Sequence, residues 1–375
     1  MSLRFGRAIS LLLLSLASVV FTCALLEVGL RVAHEVQEWQ NKSPPGADAG
    51  AMTPIYDFSG SDPRSIVIHQ ASSIPGLTYE MAPNRELTAR NGIPIQTNQF
   101  GMRDSTSIAL KTDSRCRIAV LGDSYTFGLG VRAEETYPKV LEKLLRQSPA
   151  AARCQFEVLN FGVVGYSSHD ESLVLRYRAL RFDPRVVVIG YVLNDPEIDP
   201  SVQALHRYYA NLPWWWREFR LLRLPDEAKT NWDIRHLGGG DYYAYLHAPG
   251  QRKWQSVVDA FGDMRAVAAQ HNIKVLVVIF PELTKRFKGK PWTEYPYTNI
   301  HQQVADLSVR NGFRVIDLRE PFSRYPSQDV VLAGTDDHPS VLGHSVAAQA
   351  IGNELLDEYG YFFQGEPQQS AAAGH

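Results

Sequence analysis

From Arg117 onwards, short apolar runs alternate with longer stretches of helical spacing. The runs are Arg117–Leu121, Phe156–Asn160, Val186–Tyr191, Lys274–Phe280 and Phe313–Asp317. Segments such as VVVIGYV and VLVVIF hardly alternate between apolar and polar, the pattern of strands buried on both faces of a parallel sheet. Helical patterns cover Glu134–Gln147, Ser168–Arg181, Gln251–Gln270, Tyr297–Asn311 and Val341–Tyr359. Together they predict an α/β fold, a doubly wound parallel five-stranded sheet, with residues 115–362 as the main domain.

Outside that rhythm lie four other regions. Arg4 and Arg7 precede an uncharged run, Ala8–Leu26, long enough to cross a hydrocarbon core. Residues 1–34 are therefore expected to be a transmembrane signal anchor, with the body sent across the membrane by the arginines held inside. A cleaved signal peptide competes, although the run is long for one and no small-x-small site follows. Residues 35–114 are rich in Pro, Gly, Asn and Ser. They read as a linker followed by extended pieces (LTYEMAP, RELTA, IPIQTN) of a hairpin or small sheet. The closing TNQFGMRDS is expected to pack on the main fold. Residues 196–250 interrupt the rhythm after the third strand with Trp214, Trp215, Trp216, Trp232 and several tyrosines. Such an insertion serves as a lid, a substrate platform, a bilayer contact or a satellite core. The polar tail 363–375 is expected to be disordered.

Composition narrows the function. Hydrophobic content of 45% and charged content of 21% are those of a globular chain, and a net charge of −2 gives no basic excess for nucleic acid. Of three cysteines, Cys116 and Cys154 stand just before the first two strands. If those strands are neighbours, a disulfide is open to them in an oxidising compartment; otherwise they are two rim thiols.

The chemistry centres on Ile118–Gly128, IAVLGDSYTFG, where a buried strand runs through Gly122-Asp123-Ser124 into a helix. Open α/β sheets keep a polar crevice at such strand ends. Three more blocks fall at comparable places: Asn160–Gly165 (NFGVVG), Gly190–Asp195 (GYVLND), and Asp336-Asp337-His338-Pro339 with Gly343 and His344. In this order the four blocks resemble the SGNH or GDSL hydrolase family over roughly residues 117–359, which implies a flavodoxin-like SGNH hydrolase fold.

The resemblance implies Ser124 as nucleophile, His338 as its base, and an oxyanion hole made by the backbone N–H groups of Ser124 and Gly165 and the amide of Asn194. The family commonly places the acid three residues before the histidine, here Thr335. Asp336, at the two-residue spacing, is assigned instead, with Asp337 or a Ser–His dyad as alternatives. Tyr125 stands in place of the family's leucine and receives no catalytic role. Asp123 reads as a hydrogen-bonding residue of the turn, His344 as a residue that caps or packs the last helix, and Asp170 as a helix-start acid. No cofactor is expected. No metal is expected either, since the acids around His338 have no second ligand group of matching spacing elsewhere.

The expected activity is that of a serine esterase or acyltransferase on acyl esters, O-acetyl groups among them, of an envelope glycan or lipid. The alternative is a catalytically silent binding domain of an envelope assembly.

Overall fold

The computed structural model describes residues 2–41, 68–89, 92–110, 115–152, 154–197, 219–222, 224–283, 287–334 and 337–359. Helix α1 (Ser2–Asn41) holds an apolar span, Leu13–Ala33, that is long enough to cross a membrane. Two short hairpins follow: β1 (His69–Ala71) with β2 (Tyr79–Met81), and β3 (Glu86–Thr88) with β4 (Pro94–Gln96). The linker expected from residue 35 begins instead as the last turns of α1, through Asn41; residues 42–67 and the expected C-terminal tail lie outside the described residues.

The main domain then runs β5 (Arg115–Gly122), α2 (Ser124–Phe127), α3 (Tyr137–Gln147), β6 (Gln155–Asn160), α4 (Ser168–Tyr177) and β7 (Val186–Tyr191). After the insertion's α5 (Leu224–Leu237) and α6 (Tyr242–Leu246) come α7 (Arg252–Gln270), β8 (Lys274–Ile279), α8 (Thr298–Arg310), β9 (Arg314–Asp317), α9 (Arg319–Phe322) and α10 (Val341–Tyr359). The five strands β5 to β9 form one parallel sheet in the order β6-β5-β7-β8-β9. This is the expected doubly wound α/β fold, and each expected strand is present to within two residues. Two expected helices end in tighter turns instead: Ala133–Glu135 precedes α3, and Ala179–Phe182 follows α4.

The order places β5 between its sequential neighbour β6 and the later β7. The chain thus reverses direction across the sheet at β5, and the crevice of such a sheet opens at the carboxyl ends there. Burial drives this placement, since Val186 to Tyr191 are all buried and Ile118 to Leu121 are fully enclosed. Helix α3 covers one face through Tyr137, Leu141 and Leu145, spaced by four residues, with Pro138 fixing its first turn. Helix α4 starts in a capping box: Ser167 Oγ donates to Asp170 Oδ2 at 2.7 Å, and the same carboxylate accepts the Ser167 N–H at 2.9 Å.

The hairpin segment shares this core rather than standing apart. Leu77, Tyr79, Met81, Ile95 and Met102 belong to the same buried cluster as the sheet. Tyr79 Oη donates to Val164 O at 2.8 Å, and Tyr166 Oη donates back to Tyr79 O at 2.7 Å. Cys116 and Cys154 are joined in a disulfide, with Cα atoms 5.8 Å apart at one edge of the β5–β6 pair.

Candidate active site

The turn after β5 is made for close approach. A Cβ at Gly122 would lie 1.9 Å from Thr126 Oγ1, so only glycine lets the strand enter α2 here. Asp123 caps that short helix, its Oδ1 accepting the Tyr125 N–H at 2.9 Å. Ser124 follows as the first helical residue, nearly buried at 7% exposure.

The second block clamps this turn. Asn160 Nδ2 donates to Thr126 O at 2.9 Å, its Oδ1 accepts the Gly162 N–H at 2.9 Å, and the Val163 N–H donates to Gly122 O at 3.1 Å. A Cβ on Gly162 would come within 2.3 Å of Phe127 N, so the loop lies flat on α2. Gly165 turns the same buried loop with φ +81°, a left-handed conformation that favours glycine.

From the third block, Asn194 sends its Nδ2 to Asp123 Oδ2 at 3.3 Å, and the same carboxylate oxygen lies 3.3 Å from Ser124 Oγ. Asp123 thus does more than cap the helix: it links the serine to the asparagine amide.

The fourth block sits on a loop tied by Leu332 N–H donating to His338 O at 2.9 Å and Ser340 N–H to Val330 O at 3.0 Å. This brings His338 Nε2 to 2.8 Å from Ser124 Oγ. Asp337 Oδ1 is 3.6 Å from His338 Nδ1. Asp336, the acid assigned from the sequence, lies outside the described residues. His344 packs as expected. It is fully buried, its Nδ1 accepts the Tyr137 N–H at 3.2 Å, and burial followed by the charges of Arg103 and His338 lowers its pKa to about 3.

Three residues near the serine had no role in the sequence reading. Tyr125 Oη donates to the backbone carbonyl of Asp337 at 2.8 Å, and its ring centroid stands 5.2 Å from that of His338. Tyr125, without a catalytic role, thus braces the histidine loop. Glu282 lies just beyond β8, 3% exposed, and hydrogen-bonds Tyr243 of the insertion. Burial, then the charge of Asp337, pushes its carboxyl well above the usual range. Its backbone N–H donates to Tyr295 Oη at 2.8 Å, which in turn is 2.9 Å from His301 Nε2. Arg103, from FGMRD, is 1% exposed and donates to the carbonyls of Phe127 at 2.8 Å, of Gly128, and of Val131 at 2.5 Å. Its guanidinium also stands 4.6 Å from the Phe127 ring centroid. The only available signal was position: an acid at the C-terminal end of a parallel strand, and an arginine in a segment otherwise lacking chemistry. Among the described residues no group of three or more His, Cys, Asp or Glu is arranged to hold a metal ion.

A hydroxyl in contact with an imidazole, beside an amide donor and glycine-shaped loops, can carry out acyl transfer. The sequence model of the GDSL-like Lipase/Acylhydrolase family matches residues 120–346. No curated protein matches the chain. Solved structures similar to the chain include a catalytic mutant of an acetylxylan esterase from Geobacillus stearothermophilus, at 17% identity over 65% of this chain and 96% of that one, TM-score 0.39. Another is a member of the lipolytic G-D-S-L family from Veillonella parvula DSM 2008, at 13% identity over 65% of this chain and 98% of that one, TM-score 0.38.

Proposed function

The chain belongs to the GDSL-like lipase/acylhydrolase family and is a carboxylic ester hydrolase, and on that premise we propose that Ser124 is its nucleophile and His338 its general base. The observation that carries this reading is the 2.8 Å contact between His338 Nε2 and Ser124 Oγ. His338 takes the hydroxyl proton as Oγ attacks the ester carbonyl, then returns it to the departing alcohol. The oxyanion that builds up is met by the backbone N–H groups of Ser124 and Gly165 and by Asn194 Nδ2, which leaves Asp123 to do so. Asp336 orients the imidazole. Water resolves the acyl-enzyme in hydrolysis; an acceptor hydroxyl reaching the same carbonyl gives acyl transfer.

The acyl group, an O-acetyl group among the candidates, is carried by an envelope glycan or lipid. Three features support that setting: the apolar span Leu13–Ala33, the arginines Arg4 and Arg7 before it, and the Cys116–Cys154 disulfide. The helix anchors the chain and the body faces the extracytoplasmic side. A silent binding domain would have no use for a serine hydroxyl held against an imidazole. The test is labelling of the folded protein with a fluorophosphonate probe and peptide mapping. Modification of Ser124 that disappears in His338→Ala is expected; a folded protein that takes up no label overturns the assignment.

A further inference from the structure

Helix α1 is not apolar throughout its span. Glu27 directly follows the uncharged run Ala8–Leu26 and is 5% exposed. It therefore stands at the apolar end of that run, where hydrocarbon gives way to headgroups. A carboxylate at that depth is costly unless both oxygens are engaged. Here Oε1 accepts from Arg31 Nε at 2.8 Å, and Oε2 accepts the backbone N–H of Leu221 at 2.9 Å. The second partner belongs to the aromatic insertion, in the tight turn Arg220–Leu222 immediately before α5.

If α1 spans a bilayer, that turn meets it at the level of the headgroups. The side chains that follow suit such a place. At 100° per residue, Leu224, Ala228, Trp232 and Arg235 project from one side of α5. The opposite side carries Thr230, Asp233 and Ile234, of which Asp233 is buried at 8% exposure. Trp232 is 56% exposed and Leu222 is 40% exposed. Leu224, Trp232 and Arg235 on one side of the helix suit the boundary, since the ring and the apolar chain enter it while the cation meets anionic headgroups. We propose that the turn Arg220–Leu222 and the outer face of α5 dock on the lipid bilayer beside the anchor helix, so that the body is held to the membrane at two places. This rests on the reading of α1 as a retained anchor.

The consequence reaches the active site. Three glycines after α5 lead to α6, and its Tyr243 hydrogen-bonds Glu282. A docked α5 therefore sets the position of a residue that lines the serine's surroundings.

Full-length chain carrying Cys23→Ser, reconstituted into nanodiscs of phosphatidylcholine and phosphatidylglycerol, tests this with nitroxide labels at single cysteines. The label positions are Trp232→Cys on α5, Leu16→Cys within the span and Val309→Cys on α8, an exposed site of the body. The expected result is relaxation by oxygen and loss of relaxation by a soluble nickel chelate at 232 as at 16, with the reverse at 309. Nickel access at 232 while 16 remains in lipid overturns the docking and leaves the anchor standing. Shielding of 232 from both relaxants overturns it in favour of a contact with a second copy of the chain. Loss of α1 from the mature chain, read by intact mass, or nickel access at 16 overturns the anchor and the docking with it.

Discussion

Asp337 Oδ1 stands 3.6 Å from Nδ1 of its neighbour His338, within ion-pair range and beyond a hydrogen bond. A base that must hold one tautomer needs its Nδ1–H accepted at hydrogen-bond distance. Asp336, two residues before the histidine, is the acid assigned from the sequence in place of Thr335, which holds the family's usual position. Asp336→Asn is expected to lower kcat on a short-chain ester by about 10³–10⁴-fold, the loss seen when a triad acid is neutralised. Asp337→Asn should cost tenfold or less, as expected of an ion pair longer than a hydrogen bond. Reversed losses would move the role to Asp337, and two small losses would leave a Ser–His dyad.

Asn194 Nδ2 rests 3.3 Å from Asp123 Oδ2, a long contact that an oxyanion can replace. Truncation to Ala should therefore weaken the transition state more than the bound substrate. Steady-state kinetics of Asn194→Ala are expected to show kcat reduced by about 10²–10³-fold with KM changed little. A rise in KM at unchanged kcat would make Asn194 a substrate-binding group instead.

Arg103 holds the end of the short helix that begins at Ser124 from a distant part of the chain. Replacing it by Met keeps much of the stem and leaves the carbonyls of Phe127, Gly128 and Val131 without their cation. Each buried acceptor left unpaired costs about 1–3 kcal/mol. Arg103→Met should lose about 3 kcal/mol or more in denaturant unfolding, and its activity should fall even under conditions where it stays folded. Unchanged stability would mean that water replaces the guanidinium.

The parallel sheet was legible because strands such as VVVIGY are buried on both faces, which leaves a local mark in composition. Ser124, Asn194 and His338 stood out because the four blocks that carry them follow the family's order, near strand ends and a helix start. Arg103 and Tyr125 left no such mark, and Glu282 only its place after a strand. Their roles come from partners far away in the chain, as when Tyr125 meets the carbonyl of Asp337, and no local spacing encodes that. The hairpin β1–β2 was only half visible, because His69–Ala71 is three residues long and gains its place by pairing with Tyr79–Met81.

The Cys116–Cys154 bond ties two adjacent strand starts across 38 residues of sequence. A cross-link over a loop of that size limits the unfolded chain by about 4 kcal/mol in the chain-entropy description. Cys154→Ser should lower the unfolding free energy by about 2–4 kcal/mol, and reductant should lower the wild type towards the variant. Unfolding curves unaffected by reductant would remove the bond from the stability of the fold.

Glu171 and Asp195 are buried beneath the site at 1% exposure each, and neither Glu171 oxygen has a hydrogen-bond partner. Burial raises both carboxyls well above their ordinary values. The next cause is the charge of Asp123 for Glu171, and that of Glu171 for Asp195. In the unfolded chain both ionise near the ordinary values of glutamate and aspartate, about 4.3 and 3.9. The native state therefore binds more protons above that range, and stability must fall as pH rises. The contribution is fully present below about pH 4 and is lost through the raised native values, at up to about 1.4 kcal/mol per pH unit for each carboxyl. Glu171→Gln removes one of these titrations. Its unfolding free energy should decline less steeply than that of the wild type between pH 5 and 8, while at pH 4 the difference between the two is set by the amide's packing alone. Parallel curves for wild type and variant across that window would mean that Glu171 ionises alike in the folded and unfolded chain.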